Sequence, residues 1–421
     1  MTRCRIRLID GGSTRRCHAP VAWVQHASAK ISASSDGRPG MRITFVTETW
    51  PPQVNGVALT VRTLAEGLAA RDFEVEVVRP GANGHDGKVG LVCARGVAMP
   101  RYPSMQFGLP AGNALRSRWI AQRPHAIYIA TEGPLGASAM RTANALDIPV
   151  VSGFHTRFHD YAAHYGIGLL APLVRAHLLR FHRRAQMTLV STRALQTELT
   201  NAGISHVRKL RRGVDARLFS PERRDLALRR SWGVHDDAPV LLCVGRIAAE
   251  KNLGLAVQAF RAVHARIPGA RIVLVGDGPQ REALAVACPD VLFVGTKRDT
   301  ELAVHYASAD LFVFPSLSET FGNVVLEALA SGLALVAFDH AAAQEHVANG
   351  IAGLVVPTTD TRGFISSAYQ LGVDPDTRRL LGVNARRAAQ RCPPDAAIAG
   401  LDSLLHALVR GYPDDHLRAV A

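Results

Sequence analysis

Short apolar runs alternate with helical patterns along the chain from Met41 onward. Each run is continuously apolar, which is typical of strands that are buried on both faces of a parallel sheet. The predicted strands form two series, RITFVT, EVEVVR, AIYIAT, VVSGF and MTLVST, followed by VLLCVG, RIVLVG, VLFVG, LFVFP and LALVAF. The pattern therefore predicts an α/β fold with two Rossmann-like parallel-sheet domains that face each other across a cleft.

Domain boundaries follow from breaks in this pattern. Strand periodicity stops in RRGVDARLFSPERRD, residues 211–225, where Arg, Asp and Pro accumulate. We predict one Rossmann-like domain over 41–220 and a second over 221–395. Residues 396–421 are predicted to form a C-terminal helix that can cross back onto the first domain. Residues 1–40 lack a long apolar core and end in a Ser/Gly/Pro cluster, which indicates a flexible extension.

Composition excludes several classes of protein. With 421 residues, 48% hydrophobic and 20% charged, the chain has neither disordered nor fibrous character. No apolar run approaches the roughly 20 residues that a membrane-spanning helix needs. The six cysteines show neither pairing nor ligand spacing, which favours reduced thiols in a cytoplasmic protein.

Residues 1–40 carry +5 of the net charge of +14, and most of the remaining +9 is concentrated in one region. Residues 170–212 contain nine Arg or Lys and a single acidic residue, Glu198. Residues 171–184, APLVRAHLLRFHRR, combine apolar and cationic positions on a predicted helix, which suits an anionic membrane surface. The alternative is an ordinary surface helix of a basic protein. Because aromatic residues are few here, we expect no nucleic acid partner. We therefore expect a cytoplasmic protein, or one bound peripherally to the inner face of the cell membrane.

The segment SETFGNVVLEALASG carries two acidic residues at a spacing that suits ligand binding. Glu319 lies where a loop opens a helix, and Glu327 lies about one turn inside that helix. This arrangement can hold a sugar nucleotide by both its hexose and its ribose. The preceding SLSETFGN offers hydroxyl groups and a run of backbone N–H groups at a helix N-terminus, where anions bind. The alternative is a solvated helix face.

Two cations follow another predicted strand. In VLLCVGRIAAEKN, Arg246 and Lys251 lie between the strand and the next helix, where a guanidinium fork and an ammonium suit a diphosphate. In VTETWPPQVNGVALTV, Gly56 and the helix after it can offer N–H groups to phosphate from the opposite lobe. The alternatives are solvated cations beside a helix and an ordinary left-handed turn glycine.

Two further strand ends carry candidate ligand contacts. RIVLVGDGPQ contains Gly276, a weak fragment of a dinucleotide motif that indicates a tight turn. VGTKR, with Thr296 and Lys297, closes the next strand and is a candidate base pocket together with Gly276. A solvated loop is the equally favoured alternative.

His155 directly follows the predicted strand VVSGF. A neutral His155 that bonds sugar hydroxyl groups is our hypothesis, and a histidine satisfied within the core is the alternative. His159 and Asp160 could add metal ligands, but the HExxH pattern is absent and carboxylates are sparse. Asp374 opens a late helix and is predicted to be its cap. We therefore expect no metal site.

These motifs together support a resemblance. From Met41 to about Pro357 the chain resembles retaining glycosyltransferases of family 4, which have the GT-B fold of two Rossmann-like domains. The resemblance rests on NGVA, GFHT, VGRIAAEKN, VGDGP and the Glu-x7-Glu motif SETFGNVVLEALASG. It extends to the bacterial GDP-mannose-dependent α-mannosyltransferases and related glycolipid glycosyltransferases. The first domain would then bind the acceptor and the second the nucleotide sugar.

The resemblance implies roles for the residues of the second domain. Arg246 and Lys251 would hold the donor diphosphate, Glu327 the ribose hydroxyl groups, and Glu319 the transferred hexose. The backbone N–H groups around three further residues would contact the sugar or the β-phosphate: Phe321, Gly322 and Asn323.

From the first domain, Gly56 would approach the phosphate, and His155 would lie beside the donor sugar and acceptor. The family needs neither a metal nor another cofactor besides the donor.

The resulting prediction is a retaining hexosyltransferase that moves mannose from GDP-mannose onto a lipid-linked or glycan acceptor. The leaving phosphate of the donor would help to deprotonate the acceptor hydroxyl. The first alternative is a UDP-sugar-dependent glucosyl- or galactosyltransferase of the same family. A nucleotide-sugar epimerase with the GT-B fold and a non-catalytic binding module are less favoured candidates.

Overall fold

The computed structural model describes residues 40–53, 55–99, 102–156, 171–235 and 237–411. The predicted extension, 1–40, lies outside this part of the chain except for its last residue. The α-helices of the described residues are α1 Gly56–Ala69, α2 Gly112–Ala121, α3 Pro134–Ala145, α4 Ala171–His182, α5 Arg193–Asn201, α6 Leu226–Ser231, α7 Leu253–Arg266, α8 Arg281–Ala287, α9 Asp299–Ser308, α10 Asn323–Ala330, α11 Ala341–His346, α12 Thr361–Val373, α13 Pro375–Gln390 and α14 Pro394–Val409.

The strands form two large sheets and one hairpin. Those of the first lobe are β1 Arg42–Val46, β2 Glu74–Pro80, β3 Gly84–Asp86, β4 Val89–Ala94, β5 Gly96–Met99, β6 Tyr102–Gly108, β7 Ala126–Ile129, β8 Val150–Gly153, β9 Met187–Val190 and β10 Val207–Lys209. Those of the second lobe are β11 Val240–Val244, β12 Arg271–Val275, β13 Leu292–Phe293, β14 Leu311–Phe314, β15 Ala334–Phe338 and β16 Leu354–Val356.

The sheet orders are β10-β9-β8-β7-β1-β2-β4-β3 in the first lobe and β13-β12-β11-β14-β15-β16 in the second. In β11, Leu242 and Val244 belong to the core on one face, whereas Leu241 and Cys243 belong to the core on the other. Both faces are therefore covered, which explains why the predicted strands are continuously apolar. All ten predicted strands are present.

The sequence analysis missed a set of short strands. β3 runs antiparallel to β4, and β5 pairs with β6 in a separate antiparallel hairpin. The first lobe thus adds antiparallel pairs to the predicted parallel sheets. These segments contain Gly and exposed positions such as Gly84 and Val97, so they lack the apolar run that marks a buried strand.

The segment that joins the lobes packs mainly on the second one. Val214 and Phe219 lie in the second lobe's core. The chain crosses back after α13, where the N–H of Val214 donates to the carbonyl of Cys392 at 2.9 Å.

Helix α14 lies against the first lobe. Leu401 and Leu405 are fully buried in the core that contains β1. Arg71 pairs with Asp395 at 2.8 Å and with Asp402 at 3.2 Å. The last helix is thus part of the first lobe's core.

Polar contacts join the lobes beside the cleft. Ser191 donates its hydroxyl to the carbonyl of Thr320 at 2.9 Å. Lys209 pairs with Glu345 at 3.1 Å. The lobes therefore meet at the carboxyl end of β9, next to the loop that carries the predicted Glu319.

Candidate active site

The predicted site residues lie at the carboxyl ends of parallel strands. Arg246 follows β11 and Glu319 follows β14, and these two strands are neighbours in the sheet. The strand order reverses at this pair, which is where open α/β sheets bind ligands. In the first lobe, His155 follows β8 and Gly56 follows the loop after β1.

Arg246 is held by a carboxylate four residues further along the chain. Glu250 is 3% exposed, and its Oε1 accepts a hydrogen bond from Arg246 Nη2. Its other oxygen, Oε2, is enclosed and has no hydrogen-bond partner among the described residues. The sequence analysis missed Glu250, although its spacing of four residues from Arg246 was a usable signal.

Lys251 and Glu319 contact each other. The Lys251 ammonium donates to Glu319 Oε1, which also accepts from the Ser316 hydroxyl at 2.9 Å. Burial alone would raise the pKa of Glu319, but the Lys251 charge and these hydrogen bonds lower it below its usual range. Glu319 is therefore an anion at neutral pH. The sequence predicted that Lys251 contacts the diphosphate and that Glu319 contacts the hexose. In the structure these two side chains form one ion pair.

The loop before α10 requires a glycine. Gly322 has φ of +88°, and a Cβ added there would lie 3.4 Å from the Phe314 ring. Its neighbour Phe321 is buried. Asn323 begins α10, so the predicted backbone N–H groups are at a helix N-terminus.

Gly56 faces this loop from the first lobe. It is the first residue of α1, and a Cβ added to it would lie 3.9 Å from Asn323 Nδ2. The N-terminus of α1 therefore approaches the start of α10 across the cleft. The alternative of a left-handed turn glycine is wrong, because Gly56 has helical backbone and no positive φ.

Glu327 lies within α10 and is bonded to a buried phenol. The Tyr306 hydroxyl donates to Glu327 Oε2 at 2.9 Å. Burial raises the pKa of Glu327 to about 7, although the Tyr306 hydrogen bond opposes this change. Glu327 is therefore near its titration midpoint at neutral pH. Tyr306 was missed by the sequence analysis.

Both ring nitrogens of His155 have partners. Arg212 Nη2 lies 3.1 Å from Nδ1, and the Tyr128 hydroxyl lies 2.8 Å from Nε2. Because a guanidinium can only donate, Nδ1 must accept, and a neutral His155 carries its proton on Nε2. Burial and the Arg212 charge lower the pKa of His155 well below its usual range. His155 reaches a sugar hydroxyl only if one of these contacts opens, so its catalytic role stays a prediction.

The first lobe also contains a carboxyl group, that of Glu48, whose pKa lies near neutrality. Glu48 Oε1 accepts from the backbone N–H of Leu135 at 3.2 Å, near the start of α3. Burial and the nearby Glu132 raise the pKa of Glu48 to about 7, although the Leu135 bond opposes them. The sequence analysis missed Glu48.

The candidate base pocket lies towards the β13 edge of the second sheet. Gly276 has φ of +143°, and a Cβ added to it would lie 1.9 Å from the Gly245 carbonyl oxygen. The close approach of the Gly245 backbone thus explains why position 276 is a glycine. Thr296 is exposed, and Lys297 pairs with Glu301. Their role in base binding stays a prediction.

No group of three or more His, Cys, Asp or Glu suited to a metal occurs within the described residues. His159 and Asp160, which the alternative metal site would use, lie outside them. Asp374 caps α13 by accepting from Asp376 and Thr377, as predicted. The four cysteines of the described part are unpaired.

Comparison with known proteins matches both lobes. Residues 54–218 match the family Glycosyltransferase Family 4, and residues 238–374 match Glycosyl transferases group 1. A GDP-mannose-dependent alpha-mannosyltransferase of Mycobacterium tuberculosis is 34% identical over 76% of this chain and 84% of its own length. The chain belongs to glycosyltransferase family 4. It is therefore a hexosyltransferase.

Other similar proteins carry different names. An alpha-monoglucosyldiacylglycerol synthase of Acholeplasma laidlawii is 27% identical over 70% of this chain and 80% of its own length. Among solved structures, sucrose-phosphate synthase from Thermosynechococcus elongatus superposes with a TM-score of 0.71 at 21% identity, covering 88% of this chain and 100% of that one. The glycosyltransferase has the predicted GT-B fold.

Proposed function

We propose that this glycosyltransferase transfers mannose from GDP-mannose to a lipid-linked or glycan acceptor with retention of configuration. The observation that carries the proposal is the arrangement of Arg246, Lys251 and Glu319 on loops after the neighbouring strands β11 and β14. These groups suit a diphosphate and a hexose at one place. The choice of mannose rests on the GDP-mannose-dependent relative.

In this mechanism the second lobe binds the leaving group. Arg246 and Lys251 stabilise the charge that develops on the departing diphosphate, aided by the N-terminus of α10. Glu319 exchanges its contact with Lys251 for hydroxyl groups of the hexose, and Glu327 accepts the ribose hydroxyl groups. The departing phosphate oxygen takes the acceptor's proton, so the acceptor attacks the face that the phosphate leaves. No metal is required, since cations of the protein meet the diphosphate.

Binding of nucleotides tests the donor. Because a ligand that binds only the folded protein raises its melting temperature, GDP, UDP, ADP and their sugars are compared by thermal unfolding. Selective stabilisation by GDP and GDP-mannose supports the proposal. A preference for UDP and UDP-glucose would replace it with the glucosyltransferase alternative, which the monoglucosyldiacylglycerol synthase relative favours.

Product analysis tests the reaction. An α-linked product formed from the α-linked donor supports retention, whereas the opposite anomer refutes it. Activity that persists in excess chelator supports metal independence. Release of a converted sugar without an acceptor would identify an epimerase.

We further propose that α4 and the residues after it, 171–184, bind an anionic membrane surface. Leu173 is 67% exposed, and Arg175 and Arg180 are exposed on the same helix. Among the described residues, no helix has the length and apolar character that crossing a bilayer requires. Peripheral binding would bring the first lobe to a lipid acceptor.

Vesicle sedimentation tests this surface. Removing one cation, as in Arg180→Gln, is expected to weaken binding to anionic vesicles about fivefold, since each cation near such a surface contributes about 1 kcal/mol. Arg230→Gln, an equal charge change at an exposed position of α6, is the control. Equal binding of both variants and the wild type would contradict the proposal.

A further inference from the structure

Arg212 lies between the lobes, in the segment that joins them. Its guanidinium donates to His155 Nδ1 of the first lobe. Its central carbon also lies 5.8 Å from the centre of the Phe321 ring, in the loop before α10. This one side chain therefore contacts both the predicted catalytic histidine and the predicted sugar-phosphate loop.

The Arg212 charge has no anionic partner within the described part of the chain, where no carboxylate lies within ion-pair distance of its guanidinium. Its Nε is enclosed and has no hydrogen-bond partner among those residues. Burial lowers the pKa of Arg212, and the nearby Tyr128 phenol only partly opposes this effect. Arg212 is half-buried, and cations that folding partly withdraws from solvent are normally paired, so this arrangement favours an anionic ligand.

The present partner of Arg212 is a weak one. A neutral imidazole nitrogen accepts a single hydrogen bond, whereas a phosphate accepts a charge-assisted fork from a guanidinium. A phosphate would thus displace His155 as the acceptor. The exchange would also free His155 Nδ1 to accept a hydrogen bond from a sugar hydroxyl.

We infer that Arg212 is a third diphosphate-binding cation of this enzyme, which takes phosphate oxygens of the nucleotide in place of His155 Nδ1. Arg246 and Lys251 bind from the second lobe, and Arg212 binds from the segment between the lobes. The inference rests on the proposed function, because it assigns a further residue to the same donor.

Calorimetric titration with GDP and guanosine, and with UDP and uridine, tests this role. In Arg212→Met, the affinity for the diphosphate of the preferred base is expected to fall about 10- to 100-fold, as for loss of a charged hydrogen bond. Affinity for its nucleoside, which lacks phosphate, should change less than about twofold. Arg212→Lys keeps the charge but loses the fork, so its affinity should lie between those of the wild type and Arg212→Met.

The control is Arg211→Met, the same change at an exposed neighbouring position, which should bind all ligands as the wild type does. If Lys251→Met loses diphosphate affinity but Arg212→Met and Arg212→Lys retain it, the inference is wrong while the proposed function stands. If the wild type binds diphosphates no better than nucleosides, the proposed function itself fails. Equal loss of nucleoside and diphosphate affinity in both Arg212 variants would indicate a structural role and overturn the inference.

Discussion

Affinity for the nucleotide sugar should rise with pH across neutrality, because Glu327 must be ionised to accept ribose hydroxyl groups. Burial raises the pKa of Glu327 to about 7. If only the ionised protein binds, the apparent Kd equals the intrinsic Kd divided by the ionised fraction. That fraction is about 3% at about pH 5.5 and about 97% at about pH 8.5, so the Kd should fall about 30-fold, or roughly 2 kcal/mol.

The assay is calorimetric titration of GDP-mannose between these two pH values. The intact nucleotide sugar is the suitable probe, because the terminal phosphate of a free diphosphate titrates with a pKa near about 6 and would add its own pH dependence. Glu327→Gln should bind weakly at every pH and give a flat profile. A flat wild-type profile, or an unchanged slope in Glu327→Gln, would refute the reasoning.

The Tyr306 contact gives the same prediction a second test. Its hydrogen bond favours the ionised carboxylate, so Tyr306→Phe should move the midpoint of the Glu327 profile to higher pH by about one pH unit.

The stability of the ligand-free protein should change with pH in the opposite sense to the affinity for the nucleotide sugar. The folded pKa exceeds the ordinary value of 4.5, so the stability that Glu327 contributes is complete below that value and is lost as pH rises through about 7. Comparing the ligand-free melting temperature of the wild type with that of Glu327→Gln measures this loss.

Two further predictions concern the loops after β11 and β12. Glu250→Gln removes the charge that holds Arg246, so kcat/KM should fall about tenfold in steady-state kinetics; an unchanged value would show that Arg246 is positioned without it. Gly276→Ala should destabilise the protein by about 1–3 kcal/mol in denaturant unfolding, because its Cβ would meet the Gly245 carbonyl at a strained φ. Gly254→Ala is the matched control: nothing lies within 4 Å of the added Cβ in α7, so stability should rise by about 0.5–1 kcal/mol.

The sequence predicted the two sheets well because their strands carry a strong local signal. Strands such as β11 are buried on both faces, so their apolar runs are unmistakable. β3 and β5 lack this signal, since their side chains are largely exposed. They form strands because they pair with β4 and β6. The family resemblance then predicted where the site lies, because its motifs follow strands that end at one edge of each sheet.

The contacts between side chains of the site could not be predicted from the local sequence. Lys251 and Glu319 meet across 68 positions of sequence, and Arg212 meets His155 across 57. Such pairs arise from sheet order and from the way the two lobes pack. The sequence predicted Lys251 and Glu319 as individual site residues. Neither their pairing nor the role inferred for Arg212 could be predicted from the neighbouring residues.

The two crossings between the lobes lie side by side. The chain leaves the first lobe at Gly213 and Val214 and returns at Cys392 and Pro393, and a Cβ added to Gly213 would lie 2.4 Å from the Pro393 carbonyl oxygen. In any rotation of one lobe against the other, two adjacent crossings would act as a single pivot. Points close to a pivot move least during rotation. Arg212 is next to this pivot, so opening of the cleft would carry the N-termini of α1 and α10 apart while its guanidinium stays nearly in place, ready for the next nucleotide.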